Sequence, residues 1–207
     1  LTMTRHTFPF GTAVGAYVLD RDKPHNKQYR EILLNNFNEG VIGNGLKTKL
    51  WNREHYRPRT LWAVEWLDEH RFTQRGHWLT HGVLELTTSG LDAATVDPLR
   101  KDPAQLRDFV YNQIAQKINA VGETITEWDA INHLTGYWNT ALDDVDGELE
   151  IYADIMRRAR KLAPDAKLYV NESGILASGR PEHAREYERR VQYLLDQGVG
   201  PDGIGFM

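Results

Sequence analysis

Ile125-Thr126-Glu127-Trp128-Asp129-Ala130-Ile131-Asn132 is a β-rich run, and Lys167-Leu168-Tyr169-Val170-Asn171 is another. Between them lies a helical stretch over 148–162, ended by Ala163-Pro164-Asp165-Ala166. A strand, a helix and a second strand in this order form a unit whose strands run parallel in one sheet. The same alternation extends outward in both directions. Upstream, Phe8-Pro9-Phe10-Gly11-Thr12-Ala13-Val14 precedes a helix over 27–36, where Tyr29, Ile32, Leu33 and Asn36 recur at helical spacing. A run over 39–46 precedes a helix over 59–69 that carries Leu61, Trp62, Val64, Trp66 and Leu67. Arg75-Gly76-His77-Trp78-Leu79-Thr80-His81 precedes a polar loop rich in Thr, Ser, Gly and Asp. A helix over 103–121 follows, with Leu106, Phe109, Val110, Ile114 and Ile118 on one face. Downstream, a helix over 181–197, closed by Gly198, leads to Gly203-Ile204-Gly205-Phe206-Met207.

The chain therefore reads as five strand–helix units and a sixth strand. Doubly wound sheets and (β/α)8 barrels share this pattern. Eight units of this length need about 300 residues, inside the usual barrel range. No Gly-x-Gly-x-x-Gly follows the first strand, which weakens a dinucleotide-binding reading. The 207 residues are 41% hydrophobic and 26% charged, ordinary for a folded domain that needs no disulfide or metal. The absence of cysteine excludes thiol nucleophiles and thiolate metal sites. A net charge of −4 lacks the basic excess of a nucleic-acid binder, and no apolar run is long enough for a membrane span.

Five segments resemble glycoside hydrolase family 10, the endo-β-1,4-xylanase family. Asn36-Phe37-Asn38 with Asn44-Gly45-Leu46-Lys47 is similar to that family's Asn-Phe-Asn … Glu-Asn-x-Met-Lys-Trp segment. Arg75-Gly76-His77-Trp78-Leu79 is similar to its Arg-Gly-His-Thr-Leu-Val-Trp-His, and Trp128-Asp129-Ala130-Ile131-Asn132 to its Trp-Asp-Val-Val-Asn-Glu. Leu168-Tyr169-Val170-Asn171 matches Leu-Tyr-x-Asn-Asp-Tyr, and Asp202-Gly203-Ile204-Gly205 matches Asp-Gly-Ile-Gly-x-Gln. Order and spacing agree over essentially the whole chain. The resemblance implies a (β/α)8 TIM-type barrel of which about the first six strands are present, residues 1–207 forming the N-terminal three-quarters of one catalytic domain. It implies a glycosidase acting on a β-linked plant polysaccharide such as xylan, without a cofactor, and it favours a secreted or periplasmic location. The barrel would be completed by a C-terminal segment or a second chain.

The departures fall on the chemistry. His133 stands where the resemblance places the acid/base Glu, and Gly43 where it places the Glu before Asn44. Thr48 replaces a Trp, His81 a Trp and Gly82 a His. The nucleophilic Glu is expected on a seventh strand, after Met207. Retaining glycosidases use two carboxyl groups about 5–5.5 Å apart. His133 is the candidate proton donor, since an imidazole can carry a proton. Glu172, at the end of the fifth strand, is the second catalytic candidate. Asn44, Lys47, His77 and Asn132 carry over as sugar-binding positions, because amide and ammonium groups suit hydroxyls. His81 and Asn171 join them at neighbouring strand ends, and Tyr137 and Trp138 are candidates for stacking on a sugar. Trp78 and Trp128 read as core, and Glu127 and Asp129 as structural groups inside the barrel. His6, His25, His55, His70 and His183 lie in polar stretches and read as surface residues.

Two rival readings stay open. One is a carbohydrate-binding relative that kept the cleft and lost the acid. The other is a metal-dependent or redesigned enzyme using His81 and His133, with Glu172 as a third ligand.

Overall fold

The computed structural model describes residues 8–19, 25–82, 91–135, 142, 149–176 and 179–207. Six strands form one sheet in chain order, β1 (Gly11–Val14), β2 (Glu39–Ile42), β3 (Thr73–His81), β4 (Glu127–Asn132), β5 (Lys167–Glu172) and β6 (Gly203–Phe206). Every neighbouring pair is parallel. The helices between them are α1 (Ala16–Leu19), α2 (Asn26–Asn36), α3 (Thr48–Trp51), α4 (Arg57–Glu69), α5 (Ala93–Lys101), α6 (Pro103–Val121), α7 (Glu150–Leu162) and α8 (Pro181–Asp196). The sheet curls into six consecutive strands of a (β/α)8 barrel.

Both faces of such a sheet are covered, so its central strands are buried throughout. Trp128 and Leu168 are fully buried, and Trp128 closes over Gly76, where any Cβ would lie 2.2 Å from its ring. Trp78 is also buried, as its reading as core requires. Helices α6 and α7 lay Leu106, Val110, Ile114, Ile151 and Ile155 against the sheet.

The structure differs from the sequence reading in places. The polar loop after β3 contains α5, capped by Asp92, whose side chain accepts from the Thr95 backbone N–H. Pro98 inside that helix hides it from a pattern search. The first run shortens to four residues, because the Phe10 N–H is taken by the Asn38 side chain while its carbonyl accepts from Asn38 and Glu39. The second run ends at Ile42, and residues 43–46 turn toward α3. On α2 the buried position is Leu33, while Ile32 is exposed. His183 is buried on α8 rather than on the surface, whereas His25 and His55 are exposed and His70 stacks on Trp66. His6 lies outside the described residues.

Strand β3 shifts register against β4 between His77 and Thr80, and β4 shifts against β5 between Asp129 and Ile131. Such irregularities re-aim side chains next to a site. Lys117, on α6, holds the first of them. Its side chain is fully buried, and Nζ donates to the carbonyls of Trp78 (3.0 Å) and Leu79 (2.8 Å) and lies 3.4 Å from Thr48 Oγ1. Burial lowers its pKa to about 7. An unfolded lysine titrates near ~10.4. Between those values the unfolded chain binds a proton that the folded chain has released, so stability rises with pH across this window. The slope this residue contributes approaches about 1 kcal/mol per pH unit. Lys117→Met removes it. Urea denaturation of both proteins from pH 7 to 10 is expected to show a shallower rise for the variant; equal slopes would mean that Lys117 keeps its proton on folding.

Candidate active site

The carboxyl ends of β3, β4 and β5 carry His81, His133 and Glu172. Parallel pairing sets His81 opposite Asn132, and Asn132 opposite Asn171, so the next residues along come level. Gly82 donates its N–H to the Asn132 carbonyl, and Leu134 donates to Asn171. The chain turns sharply at His133, whose φ of 56° lies in the left-handed region. Outside glycine this conformation costs energy and persists only where the surroundings enforce it. Gly82 is one such constraint, since a Cβ there would lie 2.0 Å from the His133 carbonyl oxygen. A glycine at position 82 is what lets the β4 end approach β3.

Glu172 is fully buried, and both carboxyl oxygens are engaged. Oε1 lies 3.0 Å from His133 Nδ1 and accepts from the Ser173 N–H at 2.8 Å. Oε2 accepts from the Thr135 N–H at 2.8 Å and the Thr135 hydroxyl at 2.7 Å. Burial alone pushes this carboxyl up, but the bonds from His133, Thr135 and Ser173 outweigh it and hold the pKa below the ordinary value. Glu172 is thus an ionised carboxylate. An ionised carboxylate only accepts, so His133 Nδ1 donates to it.

His81 lies beside His133, ring centroids 4.8 Å apart, and sets its edge on Trp78 at 4.6 Å. Burial, then the neighbouring His133, lowers its pKa to about 3, so this imidazole stays neutral. Lys47 Nζ sits 4.8 Å above the Trp78 ring, and burial lowers its pKa. His77 meets the other edge of Trp78. Deeper in the barrel, His77 Nδ1 donates to Asp129 Oδ2 at 2.6 Å, and Arg75 donates twice to Oδ1 at 2.6 and 2.8 Å. Burial raises the Asp129 pKa, but His77, Arg75 and Asn171 together bring it below the ordinary value.

Of the candidates read from the sequence, Lys47, His77, His81, His133 and Glu172 form one contiguous group through Trp78. Asn171 joins it through Asp129. Asn132 is buried beneath, and its Oδ1 takes no partner among the described residues. Asn44 is exposed and stands apart, lining a cavity of about 400 Å³ with Tyr17, Tyr56 and Arg59. Tyr137 and Trp138 lie outside the described residues. Sequence reasoning missed Arg75, Thr135, Ser173 and His183 as parts of the site. His183 Nε2 lies 3.0 Å from Thr135 Oγ1, across from a helix that carried no motif. Among the described residues no group of three His, Asp or Glu is arranged to hold a metal ion.

The sequence profile of glycosyl hydrolase family 10 matches residues 2–207. The chain belongs to that family. No curated protein matches it significantly. Solved structures similar to this family 10 chain include a mutant of xylanase A from P. fluorescens subsp. cellulosa in complex with xylopentaose. The two share 22% identity over 97% of this chain and 60% of that one, with a TM-score of 0.77. Xylanase 10B from Thermotoga petrophila in complex with xylobiose is 20% identical over 95% and 58%, TM-score 0.75. An intracellular xylanase from Thermoanaerobacterium saccharolyticum, as a mutant with xylotriose, is 20% identical over 96% and 63%, TM-score 0.72. At these identities the likeness shows the barrel fold. The chain spans about 60% of the length of such structures.

The ionised state of Glu172 has a consequence for acid stability. Its folded pKa lies below the ordinary carboxyl value of ~4.3. As pH falls past that value the unfolded chain takes up a proton first, and the stabilisation is lost as pH drops through the folded pKa. Glu172→Gln is expected to flatten the fall in stability between about pH 5 and 3, as thermal melts of both proteins would show. Parallel acid limbs would mean that folding does not shift the pKa of this carboxyl.

Proposed function

We propose that this chain is the substrate-binding and proton-transferring part of a β-1,4-glycan hydrolase of the xylanase type. One observation carries the reading: Lys47, Trp78, His81, His133 and Glu172 meet at the carboxyl ends of the strands. Barrel enzymes place their chemistry on that face. Membership of family 10 supports a glycosidase, and xylo-oligosaccharides are bound by the xylanases of similar fold. His133 stands at the acid/base position that the resemblance assigns. In this role it gives a proton to the leaving glycosidic oxygen and later takes one from water. Lys47, His77 and His81 bind the sugar hydroxyls of a poly- or oligosaccharide, with Asn132 and Asn171 supporting them from beneath, while Asn44 lines a separate cavity.

The reading requires a nucleophilic carboxylate from outside β1–β6. Strands β1 and β6 each pair on one side only among the described residues, and Ile204 and Phe206 are half exposed. Two further strand–helix units, from the same polypeptide or from a second chain, close the barrel there and bring that carboxylate.

Hydrolysis of xylan and xylo-oligosaccharides by the complete protein tests this, with reducing ends as the readout. His133→Ala is expected to lower kcat by about 10²-fold, the low end of general acid–base contributions. His133→Glu is expected to raise activity above the native level. No cleavage of any β-1,4-glycan by the complete protein, together with measurable binding of xylohexaose, would favour a carbohydrate-binding relative. Loss of an existing activity in His133→Glu would mean that the imidazole has a chemistry of its own.

A further inference from the structure

Glu172 Oε2 leads away from His133 to a second buried histidine. The Thr135 hydroxyl has one proton, and its oxygen lies 2.7 Å from Oε2 of an ionised carboxylate, which can only accept. The hydroxyl proton therefore points at Glu172. His183 Nε2, 3.0 Å from the same hydroxyl oxygen, must then be the donor. His183 Nε2 is 3.9 Å from Glu172 Oε1, too long for a direct hydrogen bond, so the hydroxyl is the link. At the other end Nδ1 of His133 takes the two hydrogen-bond contacts that the ring makes among the described residues, Glu172 Oε1 at 3.0 Å and Ser173 Oγ at 3.2 Å. The chain runs His183 Nε2–H to Thr135 Oγ–H to Glu172 to His133 Nδ1–H, and it spans α8, the turn after β4 and the ends of β5 and β4.

We propose that Glu172, Thr135 and His183 are positioning residues that fix neutral His133 as its Nδ1–H tautomer and leave Nε2 as the nitrogen offered to a substrate. Free histidine favours the other tautomer, with the proton on Nε2. Each link removes an alternative. If Glu172 were to lose the Thr135 hydroxyl as a donor, burial would favour its protonated form, and the carboxyl could then donate to Nδ1 instead of accepting from it. His183 helps prevent this by donating to the hydroxyl oxygen, so that the hydroxyl proton stays aimed at the carboxylate. The left-handed backbone at His133 and the close approach of Gly82 hold the ring's stem in place. This inference rests on the proposed role of His133 for its catalytic meaning, but the tautomer itself exists without substrate. One nitrogen then serves both half-reactions of a proton shuttle, donating when the ring is charged and accepting when it is neutral.

The ring ¹⁵N shifts of His133, read by NMR on the full chain with labelled histidine above neutral pH, test it. The native protein is expected to show a proton-bearing Nδ1 and a bare Nε2. Thr135→Val should shift the tautomer ratio toward Nε2–H by about tenfold, the equilibrium worth of one hydrogen bond to a charged group, and His183→Leu, which takes a donor from the Thr135 oxygen, should shift it the same way by less. His183→Gln, whose amide N–H can replace Nε2–H, should keep the native pattern. A purely structural His183 would leave the ring pattern unchanged in both of its variants, and that result would remove it from the chain. A native His133 with its proton on Nε2 would overturn the whole proposal. Absence of xylan cleavage with the Nδ1–H pattern intact would count against the hydrolase reading and leave this one standing.

Discussion

A carboxylate that has lost all contact with water must find every donor it needs in the protein, and Glu172 is in that position. Four donors reach it, from two stretches of chain, residues 133–135 after β4 and Ser173 after β5. The turn after β4 brings Thr135, the turn after β5 brings Ser173, and the left-handed residue at the end of β4 brings His133. None of these could be moved by an ångström without leaving a buried charge short of a partner, which costs more than any single hydrogen bond contributes. The ends of β4 and β5 are therefore held in one geometry by the electrostatics of a single side chain.

A second buried polar group works the same way on the neighbouring strand. Lys117 reaches from α6 into the irregular part of β3, and the Trp78 and Leu79 carbonyls hold its amine. The two devices differ in sign. Glu172 stays charged because it is surrounded by donors, whereas burial pushes Lys117 toward neutrality. A neutral amine with two N–H donors satisfies two carbonyls and needs no counter-ion. Between them, these residues position the strand ends that carry His77, His81 and His133, and the hydrophobic core alone would not specify those ends so closely.

The strand–helix alternation was legible because each unit repeats a β-rich run and an apolar helical stripe, and the parallel sheet follows from that order. Helix α6, with Leu106, Val110, Ile114 and Ile118 inward, was read to the residue. Helix α5 was not, since Pro98 breaks the pattern that would have shown it. The grouping of His81, His133 and Glu172 was accessible because strand ends in a parallel sheet come level with one another. Thr135 and His183 were not accessible. A threonine in a turn and a histidine among charged residues on a helix carry no periodic signal, and only the packing of α8 against the β4 end brings them onto Glu172. Lys117 was hidden for the opposite reason, since one lysine on an otherwise amphipathic helix reads as solvent-facing.

The residue proposed as proton carrier, His133, is physically coupled to Glu172. Glu172 is anionic and lies within hydrogen-bond reach of position 133. A carboxyl group at 133 would face that charge, and two carboxylates so close cannot both ionise, so one must take up a proton. The imidazole at 133 turns the same contact from repulsion into attraction, and it does so while keeping a nitrogen for the substrate. A glutamate in its place would share a proton with Glu172 and be held partly protonated, which is the state a general acid needs before it can donate. Both residues at 133 thus solve the problem set by the buried carboxylate, the imidazole by pairing with its charge and the carboxyl by yielding to it. Under the proposed function the group at 133 can change because Glu172 supplies the field in either case.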